Sequence, residues 1–159
     1  MEEYRDLAEW ALATLRSDGD VCSLVVGGAS GVVESGEVDP KALELAQRTR
    51  RESETGGVVS SQVLAVFVMD TGEQSGNGTW RGSCSVYVCD RGGYGRIRTA
   101  RDTVLSALRG RPANLSRNRH VVMVQNPARR GHEKFTEYNL DYERIDFVGT
   151  LQSYGSFED

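Results

Sequence analysis

The chain has 159 residues, 38% of them hydrophobic and 26% charged, with 18 glycines and a formal net charge of −4, which is the composition of a soluble globular chain able to bury its own core. The longest apolar runs, LVV and VLAVFVM, are far too short for a membrane-crossing helix, and the acidic start MEEYRD is unlike the basic start of a secretory signal. Cys22, Cys84 and Cys89 form no CxxC pair, which argues against a disulfide framework and against a zinc site.

Residues 2 to 16 place Tyr4, Leu7, Ala8, Ala11, Leu12 and Leu15 at helical intervals, which predicts one apolar stripe and leaves Trp10 off it. The glycine of SDGD is a stop signal. VCSLVV then predicts a short strand, and GVVESGEV a second with a turn at Ser35-Gly36, the two compatible with a hairpin. Asp39 as N-cap and Pro40 at the first helical position predict a short helix through DPKALELAQRTRR, with a surface excursion as the alternative. ESETGGVVSS reads as a loop.

QVLAVFVMD is the strongest strand signal, because β-branched and aromatic residues dominate it and turn formers follow. TGEQSGNGTWRG has four glycines and almost no apolar content, so a long hairpin connection with mobile residues 71 to 82 is expected. Trp80 is its exception, either packed back on the sheet edge or anchoring a partner. SCSVYVCD alternates like a strand buried on one face, with Cys84 and Cys89 on opposite sides. Ile97, Ala100, Val104, Ala107 and Leu108 form a helical stripe that ends before Gly110. RHVVMVQNP is a further strand, ARRGHEKFTEYN a polar connection, and LDYERIDFVGTLQSY a last strand.

This order predicts one α+β domain over residues 1 to 159, with a mainly antiparallel sheet of about four or five strands covered on one face by two or three helices, and with a long glycine-rich hairpin loop.

Chemistry is sparse. YVCDRGGYGRIRTARD puts glycines before a helix but contains neither GxxxxGK[ST] nor GxGxxG, so a phosphate cradle is weakly supported. His120 and His132 have no nucleophile motif beside them and read as solvated or edge residues. No cofactor, metal site or enzymatic activity is expected.

Charge is more telling. Residues 1 to 20 carry six acids against Arg5 and Arg16, residues 91 to 119 carry eight arginines against Asp102, and residues 133 to 159 carry seven acids against Lys134 and Arg144. A basic middle between acidic ends suits internal pairing, complementary subunit faces or a polyanion patch. The segment 91 to 119 thus supports an alternative function, a nucleic-acid-binding accessory protein. Bidentate pairing of arginine with carboxylates across subunits is the more economical reading.

Three stretches carry a resemblance over nearly the whole chain: the first helix with SDGDVCSLVVGG, the run VLAVFVMD to SVYVCDRGGYGRIRTARDTVLSALRG, and RIDFVGTLQSY. In order, they resemble the tail terminator and tail completion proteins of long-tailed viruses of bacteria and archaea. The helix opening at Pro40 departs from that pattern. The resemblance implies a non-enzymatic virion protein at the head–tail junction, assembled in the host cytoplasm. It implies a ring, commonly a hexamer, that caps the tail tube, ends its polymerisation and meets the head connector or stopper protein. Viral DNA would pass through such a ring without sequence-specific binding. The family pattern assigns no individual contacts; it is the segregated charge that makes Arg91, Arg96, Arg98 and Arg101, with Trp80 and Asn77 from the glycine-rich connection, the candidate subunit or neck/tail interface.

Overall fold

A computed structural model describes residues 3–76, 78–116, 119–122 and 124–152. In chain order, helices α1 (Leu7–Ser17) and α2 (Gly19–Ser23) lead to strand β1 (Val32–Glu34) and helix α3 (Pro40–Ser53). Strands β2 (Ala65–Gly76) and β3 (Thr79–Asp90) follow, then helix α4 (Gly95–Leu108). The remainder is β4 (Pro112–Leu115), β5 (Arg119–Val122), β6 (Val124–Gln125), β7 (Arg129–Gly131), a 3-10 turn at Glu133–Tyr138 and β8 (Asp141–Gln152).

The expected α+β class is what the chain adopts. Its main sheet has the order β1-β2-β3-β8-β6, with β7 also paired to β8, while β4 and β5 form a separate antiparallel pair. Every pairing in the main sheet is antiparallel except β1 with β2. The sheet is larger than expected by β7, a three-residue strand inside the segment that reads as a polar connection.

On the first face, Val66, Val68, Val86, Val88, Ile145 and Phe147 pack with α1, α2 and α4 in the larger core cluster. On the second, Phe67, Tyr87 and Tyr142 pack with Leu43 of α3 and Phe135 of the 3-10 turn. The helical covering expected on one face is therefore supplemented at one end of the other. Phe135 is the anchor: its ring lies 5.1 Å from Phe67, 5.3 Å from Tyr87 and 5.6 Å from Tyr142, tilted or edge-on as aromatic quadrupoles prefer. Burial on both faces explains why VLAVFV is a continuous apolar run rather than an alternation. Each such valine or phenylalanine removed from water contributes about 1.5–3 kcal/mol.

The α3 and α4 expectations hold in detail. Asp39 caps α3 by accepting a 3.0 Å hydrogen bond from the Lys41 amide, and the five stripe residues of α4 are all buried.

Four local expectations give way. Trp10 is buried, 5% exposed, because α1 touches helices and strands on several sides and a single stripe cannot serve them all. VCSLVV is not a strand: Asp18 ends α1 and accepts a 3.0 Å hydrogen bond from the Val21 amide, a cap that starts α2 at once. Only Val25 retains a bridge, to Val63. β1 pairs with β2 in parallel rather than forming a hairpin with the segment before it.

The fourth concerns residues 71 to 82. β2 and β3 stay paired from Gly72↔Ser83 out to Gly76↔Thr79, with β8 paired along the other side of β3 from Ser83↔Val148 to Thr79↔Gln152, so most of the expected loop is a three-stranded ribbon. A bulge between Asp70 and Gly72 resets the register; Gly72 takes φ +107° and donates its amide to Asp70 Oδ1 at 2.9 Å. Apolar content was a poor guide here, because a ladder is held by backbone groups. Cys84 and Cys89 are buried on opposite faces, as the spacing requires.

Candidate subunit-contact surfaces

The corner after β3 is built around a buried carboxylate. Asp90, 1% exposed, accepts from Arg96 Nε at 2.7 Å and from the Arg91 amide at 2.8 Å, and is paired with Arg50 of α3, itself 5% exposed. Arg50 also donates to the Gln62 carbonyl at 3.1 Å. A charge so deep is tolerated only when paired and hydrogen-bonded, and two guanidiniums meet that condition. Gly92 and Gly93, at φ +93° and +107°, swing the chain from β3 into α4.

Arg91 leaves this corner for the second face, donating to the Tyr138 carbonyl at 2.6 Å, to Gln47 and to Glu44 at 3.2 Å. Arg101 donates to Glu143 at 2.9 Å and to Asp102 at 2.9 Å. Arg98 is exposed. Of the four arginines that the sequence assigned to an interface, three therefore hold elements of one chain together, and Arg98 faces outward. The pairings of Asp90 with Arg50 and of Arg101 with Glu143 span 40 and 42 residues and leave no local spacing signal, whereas Arg96 stands only six residues from Asp90.

The ribbon is pinned to the first face. Trp80, 3% exposed, folds back beside Leu7 and donates Nε1 to Glu73 at 3.2 Å. Arg119, 4% exposed, lies with its guanidinium 4.9 Å from the Trp80 ring centre and donates to the same Glu73 oxygen at 3.0 Å. It also donates to the carbonyls of Ser116 and Arg5. Trp80 is thus a core residue, although it stands one register position from the outer end of the ribbon. Asn77 lies outside the described residues.

Two glycines of the ribbon serve packing rather than turning. Gly82 and Gly149 face one another across β3 and β8; a Cβ on Gly82 would stand 2.6 Å from Trp80 ring carbons, and one on Gly149 would stand 3.0 Å from a Val121 methyl.

The buried thiols are poor nucleophiles. Burial, reinforced by Asp70, pushes Cys84 up to about 12, and burial beside Asp90 pushes Cys89 well above its ordinary value. His132 Nδ1 lies 3.0 Å from Asp141. A groove of about 350 Å³ between α3 and the β1 side of the sheet is lined by Val33, Leu43, Leu45 and Phe67, with Leu45 55% exposed.

No protein-family model matches the chain, and no curated protein matches it in sequence. Among solved structures, a chain in the virion of a native gene transfer agent particle is similar, with a TM-score of 0.60 over 93% of this chain and 96% of that chain, at 15% identity. The likeness is one of fold, and it spans almost the full length of both chains.

Proposed function

We propose that this protein is a structural component of a phage-like virion, a ring-forming protein that caps the tail tube, ends its polymerisation and joins the tail to the head connector. The observation that carries the reading is the likeness, nearly end to end in both chains, to a chain of a gene transfer agent virion. The likeness is one of fold, and it supports a virion component without specifying the task. The tail-terminator pattern in the sequence supplies the specific position, at the head–tail junction. The partners are further copies of the chain, the tail tube protein and the connector or stopper, with the viral DNA passing through the ring.

The arginines support assembly over nucleic-acid binding. Arg91, Arg96, Arg101 and Arg119 are committed to carboxylates within the chain, so the segment is no continuous phosphate-binding strip. A role without catalysis follows from the same reading.

The test is electron microscopy of the purified chain, alone and with tail tubes. Closed rings, and rings seated at tube ends, are the expected result. A chain that stays monomeric and ignores the tubes overturns the proposal.

A further inference from the structure

The main sheet has two unlike open edges. On one side, β1 covers β2 only at Val66–Val68, so Met69–Gly76 has β3 on one flank and no strand on the other among the described residues. Asp6, Glu9, Glu34 and Asp70 line a single depression beside this edge, where Arg5 is the one cation and is bridged to Asp6 and Glu9. On the opposite side, the outermost strands are β6 and β7. There Arg129 and Arg130 project with 66% and 47% of their side chains exposed, above the shielded carboxylates of Asp146 and Glu143. Val124 on β6 is an apolar side chain left 64% exposed.

We infer that, in the ring proposed above and resting on that reading, the acidic β2 edge of one copy pairs with the basic β6–β7 edge of the next, continuing the sheet across the junction. A free strand edge is a template for another strand, and natural proteins control what it accepts. Charge supplies the control. Two acidic edges repel, as do two basic ones, so a two-fold dimer through like edges is disfavoured and head-to-tail contact favoured. Strand direction agrees: β2, β3, β8 and the β6–β7 pair alternate in direction. Copies in one orientation around a ring therefore meet as antiparallel neighbours. The exposed Val124 gives the junction an apolar contact beside its ionic ones.

Asp70→Arg and Arg129→Glu test this, with circular dichroism melting to show that both variants stay folded and with sedimentation velocity at low salt as the readout. Each variant alone is expected to lose ring assembly, with association weakened at least tenfold. An equal mixture of the two is expected to restore rings, because every junction of an alternating ring again joins unlike charges. Rings formed by either variant alone as readily as by the wild type, or folded variants whose mixture does not recover, overturn the edge pairing while leaving the ring reading standing. A wild-type chain that assembles neither alone nor on tail tubes overturns both.

Discussion

Glu73 and Arg119, 46 residues apart in sequence, are joined by a 3.0 Å hydrogen bond beside the Trp80 indole, and this contact ties the ribbon to the β4–β5 pair. Arg119→Ala removes that bond, the stacking on Trp80 and two donations to backbone carbonyls. The expected loss is about 2–3 kcal/mol in urea unfolding, with a red shift of tryptophan emission as the indole gains water. An unchanged midpoint and spectrum would show that the ribbon is held by its ladder alone.

Asp90 lies between Arg50 and Arg96, and the three differ in exposure. Asp90→Ala leaves the buried Arg50 without its carboxylate and is expected to cost about 3–5 kcal/mol. Arg96→Ala leaves Asp90 still paired with Arg50, and Arg96 is the more exposed partner, so about 1–2 kcal/mol is expected. Equal losses in chemical denaturation would contradict a network centred on the carboxylate.

Gly82→Ala places a methyl 2.6 Å from two Trp80 ring carbons, whereas Gly149→Ala meets the Val121 side chain at 3.0–3.2 Å and a Leu7 methyl at 3.4 Å. The first is expected to destabilise by about 1–3 kcal/mol and the second by less. Thermal melts of the two variants check the order. The reverse order would mean that these glycines serve backbone freedom instead.

Asp146 is partly desolvated, which pulls its pKa upward, but hydrogen bonds from Ser85, Arg144 and Arg129 together hold it below the usual carboxylate value. A carboxylate lowered by folding stabilises above its unfolded value, about 3.9, and that contribution is lost as pH falls through the folded one. Stability measured against pH is expected to decline below about pH 4, less steeply in Asp146→Asn. An identical acid limb in the variant would remove Asp146 from the account.

The long elements were legible because their patterns are local. Ile97 to Leu108 repeats at helical spacing, and Asp39-Pro40 is a cap written in adjacent residues. What was missed depends on distant partners. Phe135 looked like one apolar residue in a polar connection until β2, β3 and β8 brought Phe67, Tyr87 and Tyr142 around it. Val25 had the composition of a strand but found a single partner. The arginine cluster was visible as composition, whereas its use was not: Arg50 and Asp90 meet over 40 residues, and Arg101 and Glu143 over 42. The ribbon has the composition of a loop because hydropathy detects a buried face and is blind to a backbone ladder with polar side chains.

For the proposed role of ending and joining tails, the decisive measurement is tail length in particles made without this gene. Electron microscopy is expected to show tails of uncontrolled length detached from filled heads, with normal particles restored when the gene is supplied in trans. Tails of unchanged length, joined to heads in the gene's absence, would contradict it.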